Sequence, residues 1–435
     1  MMVSLKMLIW FWKIFYIFCG SDFHSNKIIS KITFGSCNKH DHDQPLWKKV
    51  REQTPDLWIW LGDAVYADTR ILPFLWVHSS LESMKEKFNL QKENPNYKLL
   101  SDDGIPIIGT WDDHDYGLDG VGKAFKYRFQ SQNLFLDFLD VPINSALRTR
   151  KGLYSSHTYG TGDQIVKVIL LDVRSHHTKG WDCEVLGEEQ WVWLENQLND
   201  NTSRVIFIGS GKQVLSDIPF IDKWMSCQSD LDRLIWLVQK RSQVLFLSGD
   251  VHFSEVNCYN ATSTGYPLYE VTSSGMTHSC SASLLPTGVC DWTLKNVVAS
   301  RYRVSNVVTD KSFGMIQIDW SSSPVKFTFT LIGENGVISQ MLLSSDDLIR
   351  RRHPTACPAA LEQPNYYWKR VFWITVVLIG VSTLLTFLRV LFLLCRWIIL
   401  RLLKDLDMKI KRRIKKIRLL LPSSASWKRN KVHVE

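Results

Sequence analysis

Short apolar runs of strand length recur along residues 31–343, and most of them end in Gly, Ser or Asp. Amphipathic stretches lie between several runs, for example over residues 186–198, where apolar residues recur at helical spacing. The predicted strands are residues 32–34, 57–61, 105–108, 165–171, 205–208, 244–247 and 268–271. Buried strands that alternate with helices predict an α/β fold.

A different pattern follows Phe313. Residues 325–331 alternate between apolar and polar, and Gly333-Glu334-Asn335-Gly336 then turns the chain, which predicts an antiparallel hairpin. We assign one globular domain to residues 30–345. Residues 346–368 contain three prolines and predict an extended stalk.

Two apolar segments lie near the ends of the chain. Residues 1–22 combine a short basic start with an apolar run, which predicts a secretory signal peptide. Lys13 interrupts this run, so a retained signal anchor is the alternative. Residues 371–388 carry no charge and follow three aromatic residues, which predicts a transmembrane helix over residues 369–395. A buried core helix is the alternative for this second segment.

The charge of the chain is concentrated at its C-terminal end. The formal net charge is +9, and 14 Lys and Arg against 3 Asp and Glu give residues 389–435 a charge of +11. The other 388 residues therefore carry −2 (9 − 11), so nucleic acid binding is not expected. The positive-inside rule predicts a cytoplasmic tail and a lumenal or extracellular domain, in the secretory pathway or the plasma membrane. Glycosylation sequons at Asn201 and Asn260 fit this orientation.

Residues 396–435 form a tail that is basic and apolar together. Its apolar residues recur every three or four positions, on one helical stripe: Leu403, Leu406, Ile410, Ile414, Ile417 and Leu421. A basic amphipathic helix beside a membrane predicts binding to anionic lipid. A helix that binds a protein partner is the alternative.

Several predicted strands are followed by residue types that commonly bind metals. The segments that follow them are Gly35-Ser36-Cys37, Gly62–Asp68, Gly109–Gly117 and Ser248–His252. Singly, such a Cys suits a disulfide and such an Asp suits a turn or a helix cap. The segment Asp112-Asp113-His114-Asp115 concentrates negative charge that solvent or a cation must neutralise. Because sites form at the carboxyl ends of strands in α/β sheets, together these segments predict a metal centre.

These motifs resemble those of the alkaline phosphatase D (PhoD-like) family, within the wider metallophosphoesterase fold. The resemblance covers residues 31–343, and residues 171–174 and 186–194 support it. It implies an αββα β-sandwich and a binuclear metal centre. Its first metal would be held by Cys37, Asp63, Tyr66 and His252, and its second by Asp63, Asp113 and Asp250.

The resemblance also implies the metals and the chemistry. Thiolate, phenolate and imidazole suit Fe³⁺, whereas carboxylates suit Ca²⁺, Mg²⁺ or Mn²⁺. A metal-activated hydroxide would hydrolyse a phosphate ester, with His114 at the phosphate or the leaving oxygen. Arg174 would bind phosphate, or alternatively pair with Asp172.

The substrate class remains open at this stage. A phosphomonoester or phosphodiester of a small molecule or a lipid fits the implied site. The alternatives are a phosphodiesterase of lipids or glycolipid anchors, and a catalytically silent ectodomain that binds a partner.

Seven cysteines lie between the two apolar segments, which is an odd number for a disulfide-forming compartment. If Cys37 is a metal ligand, six remain to pair. Cys280 and Cys290 are near enough in sequence to close a small loop. The partners of the other four remain open.

Overall fold

The computed structural model describes residues 23–72, 75–260, 265–280, 288–351, 356–359 and 365–420, with side chains to residue 417. The predicted signal peptide lies outside these residues, as do parts of the stalk and residues 421–435 of the tail. The chain divides into two compact units, Met1–Tyr366 and Tyr367–Glu435.

Strands of the first unit form two large sheets and one small one. The strands are β1 Phe23–Ser25, β2 Lys31–Gly35, β3 Leu57–Leu61, β4 Thr69–Leu72, β5 Leu75–Val77, β6 Ile107–Thr110, β7 Ser155–Tyr159, β8 Val166–Leu170, β9 Val205–Ser210, β10 Val244–Ser248, β11 Glu255–Tyr259, β12 Leu268–Thr272, β13 Ser312–Asp319, β14 Lys326–Gly333 and β15 Gly336–Ser344. Within the described residues, one sheet has the order β1-β7-β8-β9-β10-β12-β11 and the other β15-β14-β13-β2-β3-β6.

Each large sheet has a parallel centre. Strands β2, β3 and β6 are parallel neighbours in one sheet, and β8, β9, β10 and β12 are parallel neighbours in the other. Parallel neighbours bring their carboxyl ends to the same edge of a sheet. The loops that leave these ends therefore meet at one rim of the domain.

Helices cover the outer faces of the sheets. They span Leu46–Glu52, Leu81–Glu93, Pro95–Asp102, Asp113–Tyr116, Arg128–Phe138, Glu188–Asn199, Gln228–Val238 and Val289–Asn296. The apolar residues of the inner faces, such as Phe34, Phe207 and Ile316, form one buried core between the two sheets. Two further clusters, around Trp58 and around Trp191, join each sheet to its helices. Strand side chains alternate between faces, so a strand contributes to the central core and to an outer one.

This arrangement confirms the predicted α/β fold and its αββα layers. The predicted hairpin is also confirmed, since β14 and β15 pair antiparallel across the turn from Gly333 to Gly336. The sequence patterns missed β1, β7, β11 and β13 in the large sheets. Strand β7 has the polar sequence Ser-Ser-His-Thr-Tyr, although it is mostly buried. Its polar side chains are accommodated by hydrogen bonds, for example between Ser156 Oγ and Gln197 Oε1 at 3.0 Å.

Three disulfides staple the first unit. They join Cys183 to Cys227, Cys258 to Cys357, and Cys280 to Cys290. The predicted small loop between Cys280 and Cys290 is therefore closed. Cys37 is free and buried. Disulfides persist in oxidising compartments, which fits a domain on the secreted side of a membrane.

The described part of the second unit lies within the helix Tyr366–Leu420. Its segment Tyr366–Ile417 is long and apolar enough to cross a membrane, by length and composition alone. This agrees with the predicted transmembrane helix and makes it a candidate span.

Candidate metal centre

Loops at the carboxyl ends of the parallel strands supply all the side chains that the sequence motifs single out. Cys37 follows β2, and Asp63 and Tyr66 follow β3. Asp113 and His114 follow β6, Arg174 follows β8, and Asp250 and His252 follow β10. These side chains come from both sheets, so the site lies where the two carboxyl-end rims face each other.

Four of these residues adopt left-handed backbone conformations, which residues other than glycine rarely adopt. The φ angles are 58° at Cys37, 49° at Asp63, 73° at Asp250 and 60° at His252. Such conformations persist only where the surrounding structure enforces them, and they concentrate at functional sites. The strained backbone at these four positions therefore indicates that the loops hold the side chains in the orientation that the site requires.

A group of carboxylates, three of them buried and that of Asp250 half-buried, forms the centre of the site. Asp63, Asp112, Asp113 and Asp250 each bring an oxygen within 4.8 Å of the others, and Asp63, Asp113 and His114 form a second such group. Asp112 is a member that the sequence analysis did not select as a ligand.

The electrostatics of these carboxylates fit a bound cation. Burial raises the pKa of Asp63 and of Asp250 well above the usual range, and neighbouring carboxylates, Asp113 and Asp112 among them, raise it further. Asp63 Oδ1 and Asp112 Oδ2 are buried and have no hydrogen-bond partner in the described part of the chain. Buried anions with unused lone pairs are stable when they coordinate a metal. The donor set therefore fits a metal ion.

Cys37 lies at one side of this group. Its Sγ is 3.5 Å from Asp63 Oδ2, and the hydroxyls of Ser274 and Ser36 donate to it at 3.1 and 3.6 Å. Burial raises the pKa of the thiol, and the carboxylates Asp63 and Asp250 raise it further, while the two hydroxyls lower it. A cation beside the sulfur would reverse the balance and favour the thiolate.

Tyr66 lies between two histidines. Its hydroxyl oxygen is 3.0 Å from His252 Nε2 and 2.7 Å from His278 Nε2. Burial raises the pKa of Tyr66 and lowers those of both histidines, to about 4 for His252. Neutral imidazoles are good metal ligands. The sequence analysis missed His278, which follows β12 within Gly-Met-Thr-His.

His114 is held by a carboxylate. Its Nδ1 is 2.9 Å from both oxygens of Asp68, a residue of the motif that also contains Asp63 and Tyr66. Burial opposes protonation of His114, but Asp113 and Asp68 outweigh it, so the pKa of the imidazole is raised. A carboxylate at Nδ1 fixes the ring and leaves Nε2 for a substrate.

Arg174 is fully buried, and its guanidinium contacts carboxylates. It donates to Asp112 Oδ1 and, at 2.9 Å, to Asp222 Oδ2, and it lies 3.6 Å from Asp113 Oδ2. The guanidinium therefore contacts other carboxylates than Asp172, the alternative partner considered from the sequence. The Asp172 carboxylate instead accepts a hydrogen bond from the Arg174 backbone N–H at 2.9 Å. Arg174 therefore offsets the negative charge of the centre, with Lys212 adding a contact to Asp222 at 3.0 Å.

Known proteins resemble the chain in fold and in sequence pattern. A solved structure of PhoD matches with a TM-score of 0.58 and 16% identity, over 80% of this chain and 76% of that one. GAP50, the anchor in the inner membrane complex of Plasmodium, matches with a TM-score of 0.48 and 10% identity, over 76% of this chain and 92% of its own. No curated protein sequence matches the chain. The sequence model of the PhoD-like phosphatases matches residues 32–329, and the chain belongs to this family.

Proposed function

We propose that this protein hydrolyses phosphate esters at a binuclear metal centre built on the carboxyl-end rim. Membership of the PhoD-like phosphatase family supports a phosphoesterase activity. The observation that carries the proposal is the carboxylate group Asp63, Asp112, Asp113 and Asp250, whose oxygens lie within 4.8 Å of one another. Such a group is suited to hold cations beside a phosphate.

The donor types divide between two metals. Cys37, Tyr66, His252 and Asp63 suit Fe³⁺, because the anionic thiolate, phenolate and carboxylate offset its high charge and imidazole is a common iron ligand. The carboxylates of Asp63, Asp113 and Asp250 suit Ca²⁺, Mg²⁺ or Mn²⁺. The bound metals would activate water and neutralise the charge of the phosphate.

The side chains around the centre have distinct tasks in this proposal. His114, fixed through Nδ1 by Asp68, would use Nε2 to move a proton to the leaving oxygen. The guanidinium of Arg174 lowers the pKa of both Asp112 and Asp113, because it is buried beside both, although burial still leaves the pKa of Asp112 raised. It acts on the carboxylates that shape the site, and a direct contact with phosphate remains a prediction.

The proposal includes a topology. The candidate membrane helix Tyr366–Ile417 and the three disulfides favour a single-pass protein whose domain lies on the lumenal or extracellular side. The basic residues that follow the apolar segment favour a cytoplasmic tail that lies on anionic lipid.

Metal analysis combined with two substrates tests the function. The full-length protein is purified in detergent, its metals are quantified, and its activity is measured on an aryl phosphate monoester and on the matching diester. Hydrolysis that is lost on chelation and restored by metal supports the proposal. Stoichiometric metal without hydrolysis of either ester supports the silent ectodomain instead. A metal-free protein contradicts the binuclear centre.

A further inference from the structure

A lysine ammonium lies at the edge of the metal centre. Lys39 belongs to the loop after β2, two positions after Cys37, and it is half-buried. Its Nζ lies 5.2 Å from the centroid of the Tyr66 ring. Among the described residues this ammonium forms neither an ion pair nor a hydrogen bond. A half-buried cation in this position is stabilised when an anion binds beside it.

The backbone of Lys39 is fixed by the surrounding loops. Its N–H donates to Thr277 Oγ1 at 2.7 Å, and its carbonyl oxygen accepts from Gln44 Nε2 at 3.1 Å. Thr277 precedes His278, whose Nε2 lies 2.7 Å from the hydroxyl oxygen of Tyr66. The loop after β2 is thus joined to the loop after β12 beside the Tyr66 ring. The fold therefore holds the Lys39 side chain next to the proposed ligands.

The Tyr66 ring relates Lys39 to the proposed proton donor. The ring centroids of Tyr66 and His114 are 4.0 Å apart. Lys39 and His114 therefore both contact the same ring, and a phosphate held beside that ring has an ammonium and an imidazole within reach. In the proposed function the imidazole faces the leaving oxygen. The ammonium is then left for an oxygen that stays on phosphorus.

The charge of the proposed centre gives this ammonium a specific task. The proposed ligands that would bind as anions are Cys37, Asp63, Tyr66, Asp113 and Asp250. Together they would balance the charge of Fe³⁺ and one divalent cation, so the centre alone would discriminate little between anions of different charge. A phosphomonoester carries roughly 1.5 to 2 negative charges at neutral pH, whereas each phosphodiester group carries a single one. A cation beside the phosphate would distinguish the two.

We propose that Lys39 selects phosphomonoesters over phosphodiesters, by pairing with the phosphate oxygen that carries the second negative charge. The inference rests on the proposed function of the site and names its substrate class. In a diester this oxygen is esterified and uncharged. The ammonium would then lose water without gaining an anion, which disfavours the diester.

A second cation near the site provides a matched comparison. The guanidinium of Arg70 lies 5.8 Å from the Trp76 ring, whose centroid is 4.7 Å from that of His114. Arg70 is exposed and contacts this outer ring rather than Tyr66. Its charge should attract either ester from solution. Loss of Arg70 therefore reports the general positive field, and loss of Lys39 reports the proposed contact.

Two esters with the same leaving group test the inference. Full-length protein is purified in detergent with its metals and assayed on nitrophenyl phosphate and on methyl nitrophenyl phosphate. The test variants are Lys39→Met, which removes the charge, and Lys39→Arg, which keeps it. Arg70→Met is the nearby control. The distant control is Lys48→Met, because Lys48 is an exposed lysine of the helix Leu46–Glu52.

We expect Lys39→Met to lower the ratio of kcat/KM for the monoester to kcat/KM for the diester by about tenfold or more. Lys39→Arg should retain most of this ratio. In Arg70→Met both values should fall together, and the ratio should stay within about twofold of wild type, as in Lys48→Met. An equal loss on both esters in Lys39→Met overturns the inference, as does an equal fall of the ratio in Arg70→Met.

The wild-type protein separates this inference from the proposed function. Hydrolysis of the diester without hydrolysis of the monoester overturns the selection by Lys39 and leaves the proposed phosphoesterase intact. Hydrolysis of neither ester overturns both.

Binding of inorganic phosphate measures the same contact without turnover. Calorimetric titration of the metal-loaded protein compares inorganic phosphate with dimethyl phosphate, which carries a single charge. Lys39→Met should weaken the binding of inorganic phosphate by about tenfold and change that of dimethyl phosphate by less than about twofold. The variant keeps the backbone contacts of residue 39, so the fold should persist. An unchanged Kd for inorganic phosphate overturns the inference.

Discussion

The hydroxyl of Tyr66 lies 2.7 Å from Nε2 of His278, a residue 212 positions later in the chain. Tyr66 follows β3 of one sheet and His278 follows β12 of the other, so this contact joins the two halves of the rim. His278 Nδ1 lies 3.1 Å from Thr277 Oγ1, which fixes the ring. His278, which is not among the expected metal ligands, therefore orients the phenol of Tyr66 toward the site.

Tyr66 and His278 should control the colour of the metal-loaded protein. A phenolate bound to Fe³⁺ gives a visible charge-transfer band, which Tyr66→Phe should abolish. His278→Gln should shift or weaken the band, because the phenol loses the group that orients it. Absorption spectra at matched iron content check this, with the exposed His24→Gln as the control. A colourless, iron-free protein with full activity would refute the assignment of iron to Tyr66.

Removal of a proposed ligand should eliminate activity without unfolding the domain. Asp63→Asn and His252→Ala should each lower hydrolysis by about a hundredfold or more and reduce bound metal. Both residues lie in loops at the rim, so core packing and the disulfides should persist. Metal analysis, activity and an unchanged disulfide content check this, with the exposed Asp102→Asn as the control. Normal turnover in either variant would exclude the binuclear centre.

The sequence was most informative where residues suited to metal binding directly follow a recognisable apolar strand. The run Leu57–Leu61 is apolar throughout and buried on both faces, so its pattern identified it as a central strand. The residues at its end could be placed at the site because parallel strands share an edge. The strand Ser155–Tyr159 escaped notice because buried polar side chains with hydrogen-bond partners carry no apolar signal.

The sequence did not reveal which residues that are distant in the chain contact each other in the folded domain. Arg174 stands two positions after Asp172, which suggested a local pair, but its guanidinium contacts Asp112, 62 positions away. His278 had no neighbouring carboxylate, and Cys280, two positions later, was already assigned to a small disulfide loop. A single histidine near a strand end becomes informative only when its distance to Tyr66 is known.

The buried position of Arg174 predicts a stability effect rather than a simple loss of affinity. Arg174→Gln leaves Asp112 and Asp113 without the buried guanidinium beside them and leaves Asp222 with Lys212, which should cost about 3–5 kcal/mol in the metal-free protein. The exposed Arg233, paired with Glu188, is the control, and Arg233→Gln should cost at most about 1 kcal/mol.

Thermal unfolding of the chelated protein measures this difference. Kinetics with an aryl phosphate then separate the two roles considered for Arg174. A higher KM with unchanged unfolding would contradict the charge-offsetting role and favour direct binding of phosphate.

Close approach of the two sheets at the site predicts that Gly249 cannot be replaced. A Cβ at this position would collide with the carbonyl oxygen of Leu61 and with Ser36. Gly249→Ala should therefore displace the loop that carries Asp250 and His252, with loss of metal and of activity. The matched control is Gly104→Ala, because no atom lies within 4 Å of a Cβ there. Its left-handed φ of 72° makes a small loss of stability the expected result of that change. Metal content equal to wild type in Gly249→Ala would contradict the prediction.

Topology decides which substrates and which redox state the domain meets. Residues 389–435 carry +11, too much positive charge to cross a membrane readily, so an epitope placed after Glu435 should lie in the cytoplasm. Protease added to intact cells should cleave that epitope only after the membrane is permeabilised. Asn201 is exposed, so the domain should carry glycan there. An epitope cleaved in intact cells would reverse the orientation. The domain would then face a reducing compartment, in which its three disulfides would not persist.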